Sequence, residues 1–282
     1  MTLRYRLLNV FTVDGDALSG NPLCVFEDGR GLSDELMQRL ARQFNLSETT
    51  FLLPATQPQA QARVRIFTPR YEMPFAGHPT LGSAAVCRSL GLGADLLTLE
   101  MAAGLIPVRA QASRWTLTTQ LKGWREVPMT REPLAAGLGL SPQDLAERPL
   151  WVSAGKEQLI VPLISADAVR RAAPRAELFQ TCVSRDGQAM AYVFAFESHE
   201  AIVARFFFPQ GGSVLEDPAT GSAAANLGGW WQAMARERPA RLQILQGAQA
   251  ARPSRLWLDV DALGAISVGG EVVELGCGSI TL

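Results

Sequence analysis

Two short stretches hold residue types able to move protons or hold an anion: His78-Pro79-Thr80-Leu81-Gly82-Ser83-Ala84-Ala85 and Asp217-Pro218-Ala219-Thr220-Gly221-Ser222-Ala223-Ala224. They agree at five of eight positions with an offset of 139, close to half of the 282-residue chain. Each reads as the start of a helix. A first-turn proline sacrifices no intrahelical hydrogen bond, and small residues follow without a β-branched run. Such a start presents backbone N–H groups and a partial positive charge, which stabilise an anion by about 0.3–1 kcal/mol at an exposed site. The ligand it favours is a small carboxylate. His78 and Asp217 fall at equivalent positions of the two copies, so they are expected to face each other across a cleft and to add polar chemistry at both helix starts.

Ser222 either donates to a substrate oxygen or bonds a helix carbonyl, as serine often does. No G-x-S-x-G surrounds it, so it is not a hydrolase nucleophile by motif. Glu48 follows a helix in Asn45-Leu46-Ser47-Glu48. On residue chemistry alone it reads equally as a solvated acid and as a general acid/base.

Composition narrows the partners. Net charge is −1, from 26 basic and 27 acidic residues, which gives no field to recruit nucleic acid or an anionic membrane. The first residues, Met1-Thr2-Leu3-Arg4-Tyr5-Arg6, put charges where a signal peptide needs an apolar core, and no apolar run approaches about 18 residues. The expectation is a soluble, cytoplasmic protein. Four scattered cysteines form no C-x-x-C pair and only two histidines occur, so no zinc site of ordinary spacing is expected. Gly91-Leu92-Gly93 and Gly137-Leu138-Gly139 lack the third glycine and preceding strand of a dinucleotide fingerprint, so no nicotinamide or flavin site is expected either.

The elements that must position these residues repeat as well. Arg65-Ile66-Phe67-Thr68-Pro69 lies 13 residues before His78, and Arg205-Phe206-Phe207-Phe208-Pro209 lies 12 before Asp217. Each is an apolar run ended by proline, then a turn-like segment, then the small-residue helix. Order, spacing and chemistry agree, so the chain reads as a duplication. In the first half, strands are expected at 3–13, 23–26, 49–53 and 60–68. A helix capped by Ser33 carries Leu36, Leu40 and Phe44 at four-residue spacing. The first central helix runs from His78 to Leu90, and two or three strands follow to residue 120. In the second half, strands are expected at 151–153, 158–163, 189–196 and 201–208, and a helix over 218–236. Strands at 241–246, 255–260, 265–268 and 271–275 close the chain. The glycines and prolines of 121–150 interrupt the pattern, which sets a first domain at 1–120 and a second at 121–264, with 265–282 returning to the first. Helices apolar nearly all round belong inside something, and a strongly curved sheet around each central helix is the simplest container. The fold class is therefore α+β, two domains related by a pseudo-twofold.

Ser19-Gly20-Asn21-Pro22, Leu46-Ser47-Glu48-Thr49, Met73-Pro74-Phe75-Ala76-Gly77-His78-Pro79-Thr80 and Glu216-Asp217-Pro218-Ala219-Thr220-Gly221-Ser222 together resemble the phenazine-biosynthesis isomerase (PhzF-like) family, in that family's order and across essentially the whole chain. The resemblance implies the diaminopimelate-epimerase-like fold, isomerisation without a cofactor or metal, and a homodimer. It implies Glu48 as the catalytic acid/base with His78 and Asp217 as polar partners, and Asn21, Gly77, Gly221 and Ser222 as substrate contacts. Related epimerases and proline racemases carry a thiol at each helix start, whereas this chain has Ala76-Gly77-His78 and Asp217-Pro218-Ala219 there. Two-thiol racemisation is therefore disfavoured. The expected reaction moves a proton and a double bond on a small carboxylate in the interdomain cleft. The competing readings are an epimerase or racemase of a small amino or hydroxy acid, and a binding protein for a small carboxylate, which would gain nothing from a retained Glu48.

Overall fold

The computed structural model describes residues 1–282. The chain divides into two units, one of residues 1–118 with 269–282 and one of residues 119–268.

The first unit contains β1 (Thr2–Thr12), β2 (Asn21–Phe26), α1 (Asp34–Phe44), β3 (Glu48–Leu53), β4 (Ala62–Phe67), β5 (Glu72–Met73), α2 (Gly77–Ser89), β6 (Leu96–Met101), β7 (Gly104–Gln111) and most of β8 (Arg114–Gln120). The amphipathic α1 is built as its sequence requires. Ser33 accepts the Leu36 N–H, Asn45 takes the left-handed conformation that ends the helix, and Met37, Leu40 and Ala41 are buried. Such a cap contributes about 1 kcal/mol. On the sheet face beneath it, Phe26 and Phe51 stack with ring centroids 4.8 Å apart. Side chains alternate across β3, so Phe51 joins the α1 core while Glu48 and Thr50 turn to the other face, toward α2. There, Thr50 and Ser83 hydroxyls bond at 2.9 Å. Most of α2 is buried, from His78 to Cys87 apart from half-buried Ala85, and small residues make that possible: a Cβ at Gly82 would collide with Leu23 of β2.

The second unit contains β9 (Gly123–Glu126), α3 (Arg131–Gly137), β10 (Leu150–Ser153), β11 (Glu157–Pro162), α4 (Ala166–Arg171), α5 (Ala176–Phe179), β12 (Ala191–Phe196), β13 (Ala201–Gln210), β14 (Ser213–Asp217), α6 (Gly221–Ala233), β15 (Ala240–Gln246), β16 (Ser254–Val260) and the start of β17 (Ala265–Thr281). Its pairing order matches the first unit strand for strand. β2 and β3 pair parallel, as do β11 and β12. β4 pairs antiparallel with β3 and β5, and β13 with β12 and β14. β4 then pairs parallel with β6 across the α2 crossover, and β13 with β15 across α6. Like α2, α6 is buried over most of its length, from Ala223 to Trp231.

Two expected elements differ most from the sequence expectation. The strands expected at 265–268 and 271–275 are one strand, β17, because Gly269 and Gly270 stay extended and its later residues pair with β1 from Glu271 to Thr281. Gly270 leaves room for Phe11, which bulges out of β1 with φ 66°. The helix expected at 218–236 begins only at Gly221.

Candidate active site

In the first unit the chemistry gathers at the ends of elements. Asn21 opens β2, Glu48 opens β3, and Gly77 and His78 open α2. Leu23 pairs with Glu48 in the parallel β2–β3 register, so the Asn21-Pro22 backbone lies beside the Glu48 position. The turn ahead of it depends on Gly20, whose φ is 79° and whose Cβ, if present, would press on the Val10 carbonyl. Ser19 closes the same turn, accepting the Val13 N–H at 2.8 Å and donating to Asp16 O at 2.7 Å. At the start of α2 the Thr80 hydroxyl donates to the Ala76 carbonyl at 2.6 Å, locking the first turn that carries His78.

His78 is buried and donates from its ring to the Pro22 carbonyl. Its Nε2 has no hydrogen-bond partner, so the donor is Nδ1–H and Nε2 holds a lone pair. That Nε2 lies 3.4 Å from Glu48 Oε2, and the Glu48 side chain is 15% exposed. Burial drives the His78 pKa down to about 3, with the Pro22 bond opposing the shift, so the ring is neutral at physiological pH. A neutral acceptor nitrogen thus faces a carboxyl oxygen. The arrangement accommodates one proton between them, and Glu48 can carry it as a carboxylic acid donating to Nε2.

In the second unit Asp217 ends β14, whereas Gly221 and Ser222 open α6. Asp217 is therefore four residues ahead of its helix, while His78 lies inside the first turn of its own. The sequence repeat aligned these two residues, but they hold different positions relative to their helices. Gln246, at the end of β15, bridges the segment ahead of α6. Its Nε2 donates to the Asp217 carbonyl at 2.9 Å and to the Thr220 hydroxyl at 3.1 Å. Its Oε1 accepts from the Thr220 N–H at 3.4 Å and the Tyr192 hydroxyl at 3.2 Å. These bonds tie Asp217 to Thr220, the residue that caps α6. The Thr220 hydroxyl in turn donates to Asp217 Oδ2. Ser222 Oγ accepts from Gln158 Nε2 at 3.1 Å. Gln158 is oriented by the buried Asn226 of α6, which also binds Ala154 N and Lys156 O.

Sequence reasoning missed Tyr192, Thr220 and Gln246 around Asp217, and Gln158 and Asn226 around Ser222. A polar residue at the end of an apolar strand followed by glycine, Gln246-Gly247, was the one local sign: Gly247 has φ 80°, and a Cβ there would strike the Pro218 and Arg252 carbonyls. No group of three or more His, Cys, Asp or Glu side chains is arranged to hold a metal ion. No helix is long and apolar enough to cross a membrane. Cys24, Cys87 and Cys182 are buried and Cys277 is exposed. Burial pushes the Cys87 and Cys182 thiols up to about 12.

Comparison with known proteins adds to this geometry. The family model described as phenazine biosynthesis-like protein matches residues 8–276. An uncharacterized isomerase of Pasteurella multocida is 40% identical over 279 residues, which cover 98% of this chain and 93% of the relative. Trans-2,3-dihydro-3-hydroxyanthranilate isomerase of Pseudomonas aeruginosa is 35% identical, with 95% of each chain covered. Among solved structures, the PhzF-family phenazine biosynthesis protein of Bacillus anthracis superposes with a TM-score of 0.86 at 25% identity, covering 100% of both chains.

Proposed function

We infer the reaction from the premise that the chain belongs to the PhzC–PhzF family of phenazine biosynthesis-like proteins and is an isomerase. We propose that it moves a proton and a double bond on a small unsaturated carboxylate, with Glu48 as the single acid/base. The observation that carries this reading is the His78 Nε2 lone pair 3.4 Å from Glu48 Oε2. A carboxyl group that takes and then returns a proton is served by a neighbour that accepts a hydrogen bond from its protonated form without taking the proton away. His78, neutral and anchored by Nδ1 to Pro22, is such a neighbour.

In the proposed step Glu48 takes a proton from an activated C–H. The electron pair of that bond becomes a new C=C, the original C=C pair shifts, and Glu48 returns the proton at the far carbon. Atoms and electrons balance without an oxidant, reductant or cofactor. We assign Asp217 as a second polar partner of the reacting substrate, and Asn21, Gly77, Gly221 and Ser222 as its contacts. The backbone N–H groups of Gly77 and Gly221 would serve the substrate carboxylate. The matching strand orders of the two units support their origin from one duplicated unit.

The relative of Pseudomonas aeruginosa is named for trans-2,3-dihydro-3-hydroxyanthranilate, and that compound is the first substrate to offer. In D2O, wild-type turnover should place solvent deuterium at one carbon of an isomerised product. Glu48→Gln preserves shape and removes the titrating group. Its turnover should fall by roughly 10²–10⁴-fold, with ligand affinity retained. Normal turnover and exchange by Glu48→Gln would transfer the proton-carrying role to Asp217 or His78. Product epimerised at a single carbon, with no double-bond shift, would overturn the reaction class.

A further inference from the structure

The four bonds of Gln246 use both donors and both acceptor sites of one buried amide. This saturation gives the amide one orientation, because a flipped group would aim N–H at the Thr220 N–H and its oxygen at the Asp217 carbonyl. It also determines a second bond. The Thr220 hydroxyl has one proton; since it accepts from Gln246 Nε2, that proton goes to Asp217 Oδ2. We propose that Gln246 is a positioning residue for Asp217, acting through Thr220 to keep the carboxylate an ionised hydrogen-bond acceptor at the head of α6. The proposal rests on the reading that Asp217 is a polar partner of the reacting substrate.

The groups around that bond are mostly neutral or turned away from it. Tyr192 of β12 shares Gln246 Oε1, and burial together with the Asp217 charge pushes its phenol well above the usual range, so it stays neutral. Glu216 alternates to the opposite face of β14, where Arg205 of β13 binds it at 2.7 Å. Asp217 itself lies opposite Phe206 in the β13–β14 register. On the far side of the turn Gly247, with no Cβ, lets the Pro218 carbonyl approach the β15 backbone.

The test is the titration of Asp217 in the full-length protein, read from 13C-carboxyl chemical shifts and assigned with Asp217→Asn. Thr220→Val removes the hydroxyl donor and should raise the titration midpoint of Asp217 by about one pH unit. Thr220→Ser should restore the wild-type midpoint. Gln246→Met should raise it as well and lower kcat by roughly ten- to a hundredfold, with KM nearly unchanged. If Gln246→Met fails to fold, as judged by circular dichroism, the two Thr220 variants decide. An unmoved midpoint in Thr220→Val, or a raised one in Thr220→Ser, overturns the proposal. Wild-type turnover by Asp217→Asn would instead remove Asp217 from the reaction, an outcome separable from the titration result.

Discussion

His78 and Glu48 meet through the imidazole nitrogen that carries no proton: Nδ1–H is committed to the Pro22 carbonyl, and Nε2 lies 3.4 Å from Glu48 Oε2. The contact joins the second residue of α2 to the first residue of β3. Its polarity is set by the β2 backbone, which dictates the tautomer.

Keeping His78 neutral gives stability a pH dependence. The unfolded side chain titrates near 6.5 and the folded one near 3, so between these values the unfolded state binds more protons and stability falls as pH falls. The loss should approach about 1.4 kcal/mol per pH unit well below 6.5. Urea unfolding at pH 7 and pH 5 should show His78→Gln losing about 1–2 kcal/mol less than wild type over that interval. Equal losses in the two proteins would mean that the buried ring is not the titrating group.

Gly82 sets helix propensity against packing. In an exposed helix Gly→Ala is favourable by about 1 kcal/mol. At Gly82 the added methyl would overlap Leu23 Cδ2 and press on Val10 Cγ2. Overpacking of this kind costs about 1–3 kcal/mol, so Gly82→Ala should be net destabilising. A raised denaturation midpoint would contradict the close seat of α2 on β2.

The thiols should divide by burial. Cys277 is exposed, while Cys24, Cys87 and Cys182 are buried and held protonated far above neutral pH. Iodoacetamide on the folded protein should add one label, found by mass spectrometry at Cys277, and leave turnover unchanged. In urea all four cysteines should react. Loss of turnover tracking the single label would bring a thiol into the mechanism.

Gly247→Ala offers a remote lesion of the Asp217 turn. Its φ of 80° and the nearby Pro218 and Arg252 carbonyls leave no room for a Cβ. Stability should drop by about 1–3 kcal/mol, and kcat should fall more than that of Gly264→Ala, a second positive-φ glycine away from the turn. A kcat equal to that of the control variant would separate Gly247 from the Asp217 geometry.

What the chain alone determined was local. Ser33, Asp34 and Glu35 with Leu36, Leu40 and Phe44 specified α1, because caps and amphipathic spacing act within a few residues. The small residues of 77–89 and 221–233 specified helices that must be buried, since they carry no polar face. The residue types Glu48, His78 and Asp217 were legible as acid/base candidates from type and motif. What only the tertiary structure decided was nonlocal. The tautomer of His78 depends on a carbonyl 56 positions earlier, at Pro22. At the start of α6 the Thr220 N–H is satisfied by Gln246, on a strand 26 positions beyond it. The continuity of β17 depends on β1 at the opposite end of the chain, from Thr2↔Thr281 to Thr12↔Glu271. In each case a side chain or backbone group distant in sequence satisfies polar atoms that the local segment leaves open, and no pattern of neighbouring residues encodes which distant group will do so.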